Sequence, residues 1–213
     1  MKINSEIKIV IGIVLVCVII LGLFIAFAPK PGTEISYDTN LLVRADSRMT
    51  GKMGAKVTLV EFADYQCPAC ATVAPYVKNI VDKYKTNPDF NFVHRNFPLP
   101  QHGNAVISAE AAEAAGAQGK FFEMGALLYE KQVEWSEVKD PIELFVGYAK
   151  TLGLDTVKLR LEITEGKYRD FIQSDLKDAN ALALNQTPFF FLNGVRVKSL
   201  ETLDTQIATA MAK

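Results

Sequence analysis

The chain has 213 residues, 49% of them hydrophobic and 22% charged, with a formal net charge of −1. That is a globular composition, enough for one sizeable core and a lobe inserted into it, with no internal repeat or low-complexity tract. Residues 1–30 carry +2 and residues 31–213 carry −3, so no basic field is present to attract nucleic acid.

Residues 9–28, IVIGIVLVCVIILGLFIAFA, run for twenty positions without a charge. A helix of that length spans about 30 Å, the thickness of a bilayer core. Ala26-Phe27-Ala28 has the form of a signal-peptidase site, but the apolar run is long for a cleaved leader and Pro29 would obstruct the cut. The segment is therefore read as an uncleaved transmembrane anchor. Lys2 and Lys8 in the tail 1–8 point the N-terminus inward and everything after residue 30 outward. Cys17 lacks the small preceding residue of a lipidation site and reads as an apolar side chain. Residues 29–55 mix Pro, Gly and polar residues without periodicity and read as a tether.

Residues 56–63, KVTLVEFA, form a short buried strand by pattern. Cys67 and Cys70 follow at once. Val73, Val77, Ile80, Val81 and Tyr84 then recur at helical spacing over residues 71–85. DFNFVHRNFPL, residues 89–99, reads as a second strand stopped by proline. Residues 104–185 are helical in pattern, with Asp140 and Pro141 opening one helix, Gly153 closing it, and a break near Gly166. Strand signals return at Phe189–Leu192, followed by Asn193-Gly194 and Val195-Arg196-Val197, a hairpin with a type I′ turn. Residues 200–211 close the chain as a helix. The order predicts an α/β sheet with an all-helical insertion.

The two cysteines of CPAC admit three readings. Structural zinc needs four ligands, but there is one pair, and His94 and His102 stand too far apart for the usual spacing. A purely structural disulfide across two intervening residues closes so short a loop that it removes little unfolded-state entropy. The redox reading fits best. A strand runs into the pair and a helix runs out, so Cys67 sits at a helix N-terminus, where unpaired N–H groups favour a thiolate. Cys70, one turn on, is placed to resolve a mixed disulfide by attacking Cys67. Pro68 at the first helical position is preorganised for the turn.

VTLVEFADYQCPAC, FNFVHRNFPL, the long helical block and TPFFFLNG together resemble, in that order, the thioredoxin superfamily and particularly its DsbA-like branch, over roughly residues 55–210. The resemblance implies a thioredoxin fold formed by residues 56–103 and 186–213, with the helical segment 104–185 inserted. It implies that Cys67 is the exposed nucleophile, Cys70 the buried resolving thiol, and Thr187-Pro188 a dipeptide whose proline is cis and faces the disulfide. It also implies that Glu61, six residues before Cys67, is a buried acid that relays a proton to or from Cys70. Pro68, Ala69 and Thr187 are the expected substrate-contacting positions. The Pro-Ala dipeptide between the cysteines departs from strong oxidants of the family, which carry a histidine there, and threonine before the proline is shared with reductases and isomerases. His94, Arg95 and His102 carry no assigned role, and Phe121, Phe122 and Trp135 are expected to pack the helical lobe.

The expected protein is thus a membrane-anchored thiol–disulfide oxidoreductase, a monomer without cofactor or metal, facing outward from a cytoplasmic membrane. It would give disulfides to secreted or envelope proteins and be reoxidised by a membrane quinone-linked oxidase, the partner the resemblance implies. The alternatives are a reductase or isomerase of the same fold, and a thioredoxin-like peptide-binding module without redox turnover.

Overall fold

The computed structural model describes residues 13–20, 23 and 36–213. Residues 13–20 and 23 are helical and exposed, Cys17 among them. Among the described residues no helix is long and apolar enough to cross a membrane. The remainder of the 9–28 span, the tail 1–8 and residues 29–35 lie outside the described residues.

From Ser36 onward the chain forms one compact unit. It opens with a single helical turn, α1 (Thr39–Leu42), and a two-residue strand, β1 (Arg48–Met49). Then come β2 (Val57–Ala63), α2 (Pro68–Tyr84) and β3 (Phe90–Asn96). Six helices follow: α3 (Ala105–Gly116), α4 (Phe121–Glu130), α5 (Gln132–Trp135), α6 (Ile142–Thr151), α7 (Thr156–Glu165) and α8 (Arg169–Ala181). The hairpin β4 (Phe189–Leu192) and β5 (Val195–Arg196), a 3-10 turn (Leu200–Thr202) and α9 (Leu203–Ala212) complete it.

The sheet runs β1-β3-β2-β4-β5. β2 and β3 are parallel, joined by the α2 crossover, while β1, β4 and β5 pair antiparallel. Both faces of the sheet are covered, which is why β2 and β3 are buried along nearly their whole length and read as continuous apolar runs. The period-two alternation of a strand sorts their side chains. Val57 and Leu59, with Phe90 and Phe92, pack on α2 and α9 through Val77, Ile80, Leu203 and Ile207. Val60, Phe62 and Val93 pack on the opposite side with Leu42, Ala179 and Phe191. Glu61 and His94 continue the first of these rows, and Arg95 the second.

One sequence expectation changes here. Residues 36–55 are not tether: Arg48 and Met49 pair with His94 and Val93, and Leu42 is 1% exposed in the core. Two residues of strand are too short for a periodicity to reveal; the β3 edge supplies their register. His94 and Arg95 lie within β3, inside the strand expected over residues 89–99. Arg95 is fully buried, its guanidinium held by Asp175 at 2.7 Å, Asp178 at 2.5 Å and the carbonyls of Leu41 and Leu42, both at 2.8 Å. A buried cation needs this full set of acceptors.

The helices α3–α8 build a second core. Ala111, Ala112, Ala114 and Ala115 on α3 are fully buried, and such small side chains let neighbouring helices approach closely. Trp135 and Phe145 meet edge to face at 5.3 Å in the same cluster as Met124, Leu128 and Ile172. Helix α6 starts at Ile142 with Pro141 as its cap, one residue later than expected, and Asp140 accepts from the Ile142 N–H at 3.2 Å. Gly166 ends α7 in the left-handed conformation (φ 63°), the break expected there. Asn193 and Gly194 both have positive φ, as a type I′ turn requires.

Candidate active site

Strand β2 ends at Ala63, and a four-residue turn delivers the chain to α2. Cys67 is the N-cap of α2, and Pro68 occupies its first turn. The Cys67 N–H donates to the Asp64 carbonyl at 3.1 Å, and the Cys67 carbonyl accepts the Ala71 N–H at 3.1 Å. The sulfur of Cys67 therefore sits among the unpaired N–H groups that open the helix. Both cysteines are free thiols. They pack with Ala63 and Tyr129.

The two sulfurs are electrostatically unlike. The Cys67 pKa is lowered to about 5, first by the hydrogen bond from the Cys70 thiol, then by contact with Thr187 and the N–H groups of Cys70 and Ala69, all against the opposing effect of burial. Cys70 is pushed up by burial, by its bond to Cys67 and by the charge of Glu61. At neutral pH the pair holds one thiolate and one thiol, the thiol donating to the thiolate. That is the arrangement for nucleophilic attack by one sulfur and protected storage of the other.

Exposure divides them less than expected. Cys70 is fully buried, but Cys67 keeps only 7% exposure, so the nucleophile is reached edge-on rather than openly displayed. Thr187 covers it, with the Cys67 sulfur 3.6 Å from the Thr187 carbonyl oxygen. The Thr187-Pro188 peptide is cis. Thr187 is 8% exposed and Pro188 half-buried, while Pro68 and Ala69 are exposed. All five residues thus converge on one surface. Glu61 is 4% exposed, on the row of β2 that ends at Ala63, and its charge acts on Cys70.

Three further residues belong to the site and left no sequence signal that singled them out. Asp64 is 2% exposed; burial raises its pKa above the ordinary value, against the pull of the Leu99 and Gln66 N–H groups and His102. Its carboxylate accepts from the Gln66 N–H at 2.8 Å and the Leu99 N–H at 2.9 Å, and lies 2.6 Å from His102 Nδ1. An aspartate bonding the backbone two residues on is a turn device, and here it also ties the cysteine turn to the loop after β3. Gln132 on α5 donates to the carbonyls of Tyr65 at 2.7 Å and Cys67 at 3.1 Å, fastening the helical lobe to the same turn. Tyr129 on α4 presents a buried hydroxyl with no partner among the described residues. Next to this turn, Pro98, Leu99, His102, Val106, Leu176 and Leu184 line a groove of about 670 Å³.

Asp64→Ala strands two buried N–H groups and is expected to cost about 2–4 kcal/mol. The melting temperature should fall by roughly 5–15 °C, and Asp64→Asn, which keeps one carbonyl oxygen, should recover part of it. A thermal scan that left Asp64→Ala unchanged would show that the turn is held by other contacts.

Comparison with known proteins agrees with this geometry. Among solved structures, oxidised BdbD from Bacillus subtilis superposes with a TM-score of 0.71 at 20% identity, covering 85% of this chain and all of that one. A thioredoxin-like oxidoreductase from Silicibacter pomeroyi gives 0.65 at 25% identity, over 83% and 99%, and α-DsbA1 from Wolbachia pipientis 0.68 at 20%, over 82% and 97%. These are strong matches in fold to DsbA-type oxidoreductases. Curated relatives by sequence carry the name Na(+)/H(+) antiporter NhaA 1: 36% identity over 155 residues in Mycobacterium sp. (strain KMS), 70% of this chain and 24% of that protein, and 35% over 180 residues in Salinispora arenicola, 81% and 26%. This chain thus spans about a quarter of the length of those relatives. The family described as Thioredoxin matches residues 44–209, a stretch that holds all five strands together with Cys67 and Cys70, and the chain belongs to that family.

Proposed function

We propose that the protein is a thiol–disulfide oxidoreductase that introduces disulfides into secreted or envelope proteins through the Cys67–Cys70 pair. The single observation that carries the reading is the placement of the two sulfurs: Cys67 at the N-cap of α2, which with its contacts lowers its pKa to about 5, and Cys70 fully buried behind it, where burial pushes its thiol up. An ionised Cys67 stabilises the dithiol form, and so makes the disulfide form a donor of oxidising equivalents. In the forward reaction a client thiolate attacks Cys67 of the disulfide, and Cys70 leaves with the electron pair. A second client thiolate then attacks the client sulfur of the mixed disulfide, releasing Cys67 as a thiolate. The client gains a disulfide and the protein is left as the dithiol. The exposed Pro68 and Ala69, the Thr187 backbone and the neighbouring groove are the surfaces on which a client would lie.

Residues 9–28 serve in this reading as a membrane anchor that holds the domain on the extracytoplasmic side, where disulfides persist. Reoxidation then falls to a membrane quinone-linked thiol oxidase. The antiport named for the curated relatives is a property of those longer proteins.

The test is to mix the oxidised full chain, in detergent, with a reduced peptide carrying two cysteines. The peptide is expected to gain an internal disulfide while one equivalent of protein becomes dithiol. If the oxidised protein transfers nothing and the reduced protein instead opens a peptide disulfide, the direction is reversed and the protein is a reductase.

A further inference from the structure

Gln132 on α5 is buried, with 8% exposure, and its Nε2 donates twice to the cysteine turn, to the Tyr65 carbonyl at 2.7 Å and to the Cys67 carbonyl at 3.1 Å. The second carbonyl has the larger consequence. Cys67 is the extended N-cap of α2, with φ −71° and ψ 121°. Its side chain leaves from Cα, while the N–H groups that open the helix lie beyond its carbonyl carbon. Rotation about the bond between them therefore sets how the sulfur faces those N–H groups. Pro68 comes next and has no N–H by which the joining peptide could be held. The Cys67 carbonyl is the handle that remains. It takes the Ala71 N–H from within the helix and the Gln132 amide from the lobe.

The lobe end of this bond is itself fastened. Trp135, fully buried at the end of α5, donates from Nε1 to the Leu128 carbonyl at 2.9 Å. Asn104 donates from Nδ2 to the carbonyls of Trp135, Ser136 and Val138 at 3.2, 3.0 and 2.8 Å. Gln66 donates from Nε2 to the Ser136 carbonyl at 2.7 Å. Gln132 thus meets the Cys67 carbonyl from a rigid support.

Resting on the exchange reaction proposed above, we propose that Gln132 is a positioning residue of the cysteine pair: by holding the Cys67 carbonyl it fixes the Cys67 sulfur against the N–H groups of α2, so that the helical lobe sets how readily the disulfide is reduced. In the dithiol form an ionised sulfur gains from those N–H groups and from the helix dipole. In the disulfide form the same sulfur carries no charge and gains nothing comparable. The Gln132 bond therefore stabilises the dithiol more than the disulfide. A side chain that merely joined the lobe to the sheet would stabilise both forms alike and leave their balance untouched.

The test is the equilibrium of the full chain with glutathione at neutral pH, in which the Cys67–Cys70 disulfide and two glutathione thiols give the dithiol and one glutathione disulfide. It compares wild type, Gln132→Met, Gln132→Ala and Asn104→Ala. Methionine keeps the length of glutamine and donates nothing. Alanine lets water reach the two carbonyls and covers the case in which the methionine variant does not fold. Both substitutions of Gln132 are expected to lower the equilibrium constant about tenfold, equivalent to about 30 mV, and to raise the midpoint of thiolate absorbance. Asn104→Ala removes three bonds from the end of α5 but leaves both Gln132 bonds in place, so its constant should stay within about twofold of wild type. Gln132 variants that match wild type, or an equal drop in Asn104→Ala, would overturn the proposal. Wild-type protein that exchanges no disulfide with glutathione at all would instead bring down the reaction on which it rests.

Discussion

Replacing Cys67 with serine is expected to reduce disulfide transfer to the uncatalysed background. A serine hydroxyl at a helix N-terminus remains protonated and cannot attack or be attacked as a disulfide. The packing change is small, so the fold should persist and the loss would report chemistry. Cys70→Ser separates the two roles. Cys67 stays available, and when its thiolate attacks a client disulfide, releasing the other client sulfur as a thiolate, nothing inside the protein can resolve the mixed disulfide that forms, so client–Cys67 adducts should accumulate and be visible on a non-reducing gel. Because the Cys70 thiol is the largest cause of the low Cys67 pKa, Cys70→Ala is also expected to raise that pKa. A Cys67→Ser protein that transfers no disulfide yet keeps full activity in cells would mean that the fold acts as a peptide-binding module without redox turnover.

The second large effect is in pH. The Cys67 pKa falls from an ordinary 9.0 to about 5 in the folded dithiol. A depressed acid pKa stabilises the folded state fully above the unfolded value, and that stability is lost as pH falls through the folded one. The dithiol form should therefore gain stability relative to the disulfide form from about pH 5 up to about pH 9, since Cys67 has no proton to lose in the disulfide. At pH 7 two pKa units would give about 2.7 kcal/mol, and solvent screening reduces this to on the order of 1–2 kcal/mol. Thiolate absorbance should show a midpoint near pH 5 in the dithiol and none in the disulfide form. Denaturation of the two forms at several pH values should show the gap closing towards pH 5. A gap independent of pH would remove the thiolate as the source of oxidising power.

What was legible in the sequence was local. Cys67, Pro68 and Cys70 announced themselves because a strand, a cap, a first-turn proline and a helix are consecutive in the chain. Asn193-Gly194 gave the hairpin by the same logic. Thr187, Pro188 and Glu61 were placed by resemblance; in the fold the Thr187 carbonyl lies against Cys67 and the charge of Glu61 acts on Cys70. The rest depends on register and on contacts between distant segments. His94 meets Glu61 only because β2 and β3 pair in parallel with those residues opposite one another. Strand alternation then sends Arg95 to the other face, into the aspartates of α8. Gln132 reaches Cys67 from 65 residues away, and β1 exists only because β3 offers it an edge. The near-complete burial of Cys67 likewise draws on Tyr129 and Thr187, far along the chain.

The most direct test of the central claim is the reduction potential of the Cys67–Cys70 couple, equilibrated at pH 7 against defined glutathione buffers. The account predicts a potential well above the glutathione pool, above roughly −200 mV, because a stabilised thiolate makes the disulfide easy to reduce. A potential near that of thioredoxin, about −270 mV, would contradict it and identify the reduced pair as the working form.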